Sequence, residues 1–137
     1  MRELFHSYAA RIQPRLELVE LDLPAREQKG DLKANESALL LKHWPKGGTV
    51  ICCDERGKSY DSRSFAKALS DWQDKRGPDI AFIIGGADGL HESVLQKADG
   101  ALSLGAMVWP HLLVRVMLAE QLYRAQTILS GHPYHRD

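Results

Sequence analysis

Leu4, Phe5, Tyr8, Ala9 and Ile12 recur with a helical period, which predicts a short amphipathic helix over Glu3–Ile12, stopped by Pro14. Leu16–Leu23 ("LELVELDL") reads as a strand whose alternation changes phase between Leu18 and Val19, suggesting a bulge. A polar loop over Pro24–Gly30 leads to Asp31, a candidate N-cap for a helix running to about His43 and closed by the Pro-Lys-Gly-Gly turn at 45–48. Thr49–Cys53 ("TVICC") is a short apolar run ending at Asp54, hence a buried strand opening into a polar loop. Ser62 or Ser64 suits the cap of the next helix, which places Phe65, Leu69 and Trp72 on one face and stops at Gly77 and Pro78.

Ile80–Ile84 ("IAFII") is a second continuous apolar strand, followed directly by Gly85–Gly89 ("GGADG"). A helix is expected over His91–Ala98, and a third strand from Ala101 that breaks at Gly105. Leu112–Leu129 is the longest helix, about 27 Å by rise per residue. Residues 130–137 ("SGHPYHRD") form a tail. Strands that are apolar on both faces and alternate with helices imply an α/β fold with a buried, mostly parallel sheet and helices on both faces. No linker or internal repeat divides the 137 residues, so one domain is expected over 1–137.

Composition narrows the function classes. Eighteen basic and eighteen acidic side chains cancel, which argues against binding nucleic acid by bulk charge and leaves room for one local patch. No run approaches the roughly 20 apolar residues of a membrane span. Cys52 and Cys53 are adjacent and ill-placed to bridge each other, so a reducing, cytoplasmic setting is expected.

In open α/β sheets ligands bind beyond the carboxyl ends of the strands. Three such ends stand out: Cys53 with Asp54, Gly85 with Gly86, and the run Gly105–Trp109. A glycine pair lets backbone approach a ligand closely, although it equally suits a tight turn with no ligand. Neither a dinucleotide fingerprint nor a P-loop is present. The tail gathers His132, Tyr134, His135, Arg136 and Asp137 within six residues, stiffened by Pro133. An HxxH pair with one carboxylate specifies no metal, and none is expected. On the long helix, Arg115 and Arg124 with Glu120 suit a polar face carrying i,i+4 pairs, while Leu113, Val116, Met117 and Leu118 mark a buried side.

Taken in order, "CDERGK", "IIGGADG", "LSLGAMVWPHLLVRVMLAEQLYRA" and "GHPYHRD" resemble the RlmH family of SPOUT-class methyltransferases. The resemblance covers essentially the whole chain and is most specific from Leu104 to Asp137. It implies an α/β (trefoil) knot in the C-terminal half, S-adenosylmethionine as cofactor, and a homodimer. It further implies, as substrate, N3 of a pseudouridine in the helix 69 loop of 23S rRNA on the ribosome. Carried over by position, cofactor contacts fall on Cys53, Gly85, Leu104, Gly105, Ala106, Met107, Val108 and Trp109. His135, Arg136, His132 and Tyr134 are then the expected catalytic and nucleotide-binding residues. Arg115 and Arg124 would hold phosphate or knit the dimer. Two departures accompany it: Cys53 replaces the family's usual leucine, and the customary opening strand of form M-x-I-x-I-x-x-V-G-K does not precede Glu3. Either Met1 is an internal methionine or this form has lost a sheet strand. A non-catalytic RNA-binding domain on the same scaffold, or a nucleotide-binding enzyme of other chemistry, are the competing classes.

Overall fold

The computed structural model describes residues 1–137. The elements, in chain order, are α1 (Arg2–Ala9), α2 (Leu32–Lys42), β1 (Thr49–Ser59), α3 (Ser62–Arg76), β2 (Ile80–Ile84), α4 (Glu92–Lys97), β3 (Gly100–Ser103) and α5 (His111–Ser130). The three strands form one parallel sheet in the order β2-β1-β3, as the continuous apolar runs require.

Alternation along β1 builds two cores. Ile51 faces one side, where Phe65, Ala66 and Leu69 of α3 meet Leu118, Leu122 and Ala125 of α5. Val50 and Cys52 face the other, against Ile83, Leu90 and Val94, with Leu40, Leu41 and Trp44 of the α2 region packed alongside. Helices therefore cover both faces. α5 uses a second side too: its Val116 and Ala119 receive Phe5 and Ala9 of α1. Gln126 fixes that entry, its Oε1 accepting from Gln13 N–H at 3.0 Å and its Nε2 donating to the Gln13 carbonyl. α5 thus packs on two sides.

Three local expectations are corrected. Leu16–Leu23 is irregular and joins no ladder: a strand needs a neighbour, and this segment pairs with neither edge strand of the sheet, β2 nor β3. Leu18 and Val19, where the alternation changes phase, are exposed. The chain after Asp54 does not leave the sheet. Cys53 and Lys58 both pair with Leu102, so Asp54–Gly57 bulges out and β1 resumes to Ser59. The cap of α3 is Asp61, whose carboxylate accepts from Ser64 N–H at 2.7 Å, and not Ser62 or Ser64. Asp31 caps α2 as expected, accepting from Ala34 N–H at 3.1 Å.

Candidate active site

The first expected strand end is instead the bulge within β1, and it is built around a carboxylate. Asp54 accepts from the Arg56 backbone N–H at 2.9 Å, from its Nε at 2.9 Å and from its Nη2 at 3.2 Å. Those bonds to Arg56 hold the Asp54 carboxyl below the usual range, and the same contact raises the Arg56 guanidinium. Cys53, beside it, is half-buried against the α3–α5 core. Burial pushes the thiols up, Cys52 to about 11 and Cys53 to about 12, so neither is a nucleophile at neutral pH.

The second strand end is a tight turn. Gly89 N–H donates to Gly86 O at 3.0 Å, and Gly89 takes φ +80°. A Cβ on Gly85 would stand 3.0 Å from the Gly89 carbonyl and from Leu90 Cδ2. The glycine is therefore needed for backbone packing against backbone, whatever else the turn binds.

At the third end, Ser103 Oγ accepts from Gly105 N–H at 3.1 Å, turning the chain sharply at Gly105, φ +106°. Trp109 Nε1 then donates to Leu104 O at 3.3 Å, closing the loop on itself. Met107 and Val108, 72% and 88% exposed, project from it. Leu104 and Gly105 open on a cavity of about 730 Å³ between the ends of β1 and β3 and the middle of α5, with Phe65, Leu102 and Leu118 as apolar wall and Glu120 and Gln121 as polar wall. Cys53, Gly85 and Ala106–Trp109 lie outside its lining.

The tail is folded back on its own chain. Gly131, at φ +77°, ends α5 in the left-handed conformation, with His132 N–H donating to Thr127 O at 2.9 Å. Tyr134 stacks edge-on against Tyr123 at 4.7 Å between ring centroids, and its hydroxyl donates to Glu120 Oε1 at 3.1 Å. Burial, together with a hydrogen bond to Tyr8 and the Glu120 charge, pushes the Tyr134 phenol up to about 12. Glu120 also accepts from Arg124 Nε at 2.9 Å and Nη2 at 2.6 Å, which raises that guanidinium. Arg124 Nη1 lies 3.1 Å from His135 Nδ1, and His135 Nε2 lies 2.9 Å from Asp137 Oδ1. Because Arg only donates, Nδ1 is assigned as acceptor and Nε2 as the protonated nitrogen. His132 and Arg136 are exposed, the former accepting Tyr134 N–H on Nδ1 at 3.2 Å. Glu120 therefore joins the cavity wall to the tail.

Comparison with known proteins decides the family. A family model described as a predicted SPOUT methyltransferase matches residues 1–135. The chain belongs to the SPOUT methyltransferase family. It is 50% identical over 135 residues to a ribosomal RNA large subunit methyltransferase H of Rhodospirillum centenum, covering 98% of this chain and 89% of that protein. It is 47% identical, over the same shares, to the protein of that name from Paramagnetospirillum magneticum. The Dinoroseobacter shibae protein of the same name is 54% identical over 110 residues, 80% of this chain and 70% of the relative. Membership of the SPOUT family carries with it the knotted α/β fold.

Within this SPOUT chain the arginines expected to meet phosphate or a second subunit have internal partners. Arg124 is held by Glu120 and His135, and Arg115 Nη1 pairs with Glu20 Oε1 at 3.3 Å. Arg56 and Arg63 carry site contacts that the sequence reading did not single out. "CDERGK" contained the first in plain view, since an Asp-x-Arg spacing lets a side chain fold back on its own turn. Nothing local signalled Arg63, whose partner is Asp137. No helix is long and apolar enough to cross a membrane.

Proposed function

We propose that this chain transfers a methyl group from S-adenosylmethionine to N3 of the pseudouridine in the helix 69 loop of 23S rRNA, acting as a homodimer on the assembled ribosome. Support comes from its family and from relatives named as ribosomal RNA large subunit methyltransferases. The observation that carries the reading is the turn at Leu104–Gly105 opening on the cavity whose polar wall, Glu120, also holds the tail.

The residues present fit the cofactor. The cavity lies within the roughly 300–1,000 Å³ of small-molecule sites, and combines apolar wall with a few convergent polar groups. Leu104 and Gly105 line it directly; Cys53, Gly85 and Ala106–Trp109, which lie outside its lining, are the further cofactor contacts in this reading. Bound there, S-adenosylmethionine supplies a methyl carbon on a positively charged sulfur, open to attack by a nucleophile in line with it.

The chain's own contribution is placement and proton removal. Tyr134 and Arg136 hold the nucleotide, Tyr134 by stacking and Arg136 by charge on the base as its N3 proton leaves. His135 and His132 are the two candidates for the base that takes this proton. His135 takes a proton on Nδ1 only by letting go of Arg124, which couples proton removal to movement of the tail. A near-zero net charge suits a composite site on a structured ribosome, where shape supplies what bulk charge does not. The exposed apolar residues Met107, Val108 and Leu112 at the head of α5 suit a subunit interface. Incubating the protein with unmodified ribosomes and methyl-labelled S-adenosylmethionine should place one label on that pseudouridine. Absence of label on the ribosome, with no cofactor binding by calorimetry, would refute the reading.

A further inference from the structure

The bulge Asp54–Gly57 is keyed to β3 on one side and to the turn after β2 on the other. On one side Gly57 lies so close to β3 that a Cβ there would stand 2.5 Å from the Ala101 carbonyl carbon. On the other, Arg56 reaches out of the bulge: its Nη2 donates to the Leu90 carbonyl at 3.2 Å and its Nη1 to Glu92 Oε2 at 3.3 Å. Asp54, only 8% exposed, holds the guanidinium from behind. Leu90 closes the glycine turn that begins at Gly85, is 2% exposed, and puts its Cδ2 where a Cβ on Gly85 would meet it at 3.0 Å. One side chain therefore ties the bulge of β1 to the turn after β2 and to the start of α4.

We infer that Arg56 is the positioning residue that sets the Gly85–Leu90 turn for cofactor binding, bracing it through the Leu90 carbonyl while Asp54 fixes the guanidinium plane. The inference rests on the functional reading above for the identity of the cofactor, and on the contacts alone for the brace. The guanidinium serves four oxygen acceptors at once, two on Asp54 and one each on Leu90 and Glu92, which the point charge of a lysine does not reproduce. The turn has few other ties: Gly89 N–H to Gly86 O within it, and His91 N–H to Ser37 Oγ at 3.1 Å beyond it. Losing the brace should therefore loosen the turn before it disturbs the core.

The test uses the full chain with R56A and R56K. Amide exchange in the ligand-free protein is measured at Gly89 and His91, S-adenosylmethionine affinity by calorimetry, and ribosome KM by steady-state methylation. Both variants should exchange at least about tenfold faster at those amides and bind the cofactor about tenfold more weakly, the scale of a hydrogen bond to a charged group. Ribosome KM should stay at its wild-type value. Unchanged exchange overturns the brace. Faster exchange with unchanged cofactor affinity overturns the positioning role, as does a rise in ribosome KM in step with the cofactor's. Full recovery in R56K would show that charge alone suffices and would also overturn it. If the wild-type protein itself fails to bind S-adenosylmethionine, the functional reading fails, and the exchange rates still decide whether Arg56 holds the turn.

Discussion

Arg63 grips Asp137 through two parallel hydrogen bonds, Nε to Oδ1 at 2.7 Å and Nη2 to Oδ2 at 2.9 Å, so the first turn of α3 latches the last residue of the chain. The same Oδ1 accepts from His135 Nε2. The latch therefore sets the imidazole as well as the terminus, and a bidentate fork fixes orientation in a way that a single surface ion pair does not.

The latch should respond to acid in a defined window. Arg63, then His135, hold the Asp137 carboxyl down at about 2. A carboxyl lowered on folding contributes above its ordinary value of about 3.9, and that contribution is lost as pH falls through the folded value. The Arg63–Asp137 latch should accordingly hold at pH 4 and release as pH drops toward about 2. Carboxyl chemical shifts of Asp137 followed by NMR should show this midpoint in the wild type, and a shift back toward about 4 in R63A.

Gly85→Val should damage the protein through its own backbone first. Its side chain would meet the Gly89 carbonyl and Leu90 Cδ2, so the turn must move and cofactor affinity falls with it. Overpacking of this kind costs about 1–3 kcal/mol. Urea unfolding should show that loss, and Gly85→Ala, whose single methyl sits at 3.0 Å, should lie between Val and wild type. Equal stability for all three would mean that the turn has slack.

The thiols give a third test. With Cys52 raised to about 11 and Cys53 to about 12, both stay protonated at pH 8. Neither should react with a thiol reagent in the native protein, and both should react after unfolding. Rapid labelling of Cys53 in the folded state would show that β1 opens readily at its bulge.

Much of the scaffold was legible in local pattern. Thr49–Cys53 and Ile80–Ile84 announce buried parallel strands because no polar position interrupts them, and Asp31 announces a cap because its carboxylate precedes a helix-forming run. Leu16–Leu23 has strand composition too, but composition does not say whether a neighbour exists to pair with. Asp54–Gly57 reads as a loop from its charges, and only the register shift against Leu102 keeps it in the sheet. For the candidate site, local pattern pointed to the strand ends and to the tail residues. The ties between them were not legible: Arg63 and Asp137 are 74 positions apart, and Arg56 reaches Leu90 across 34. Such long-range pairs leave no periodicity or spacing to read.

Deleting Pro133–Asp137 separates the tail's role in chemistry from its role in the fold. The cut leaves His132, so the N–H that closes α5 onto Thr127 O is retained and the helix should keep its end. It removes Tyr134, His135 and Asp137, which frees Glu120 from one donor and Arg124 from one acceptor, while the bond between those two helix residues survives. Helical content by circular dichroism should therefore be unchanged. Cofactor affinity should fall modestly, because Leu104 and Gly105 still line the cavity. Methylation of ribosomes should fall by about two to four orders of magnitude, the range expected when a positioned base is lost. Tyr134→Phe refines the result: it keeps the ring against Tyr123 and loses only the bond to Glu120, so it should weaken the tail's docking while retaining stacking on the nucleotide. A truncated protein that methylates ribosomes at the wild-type rate would assign the tail to packing on α5 alone.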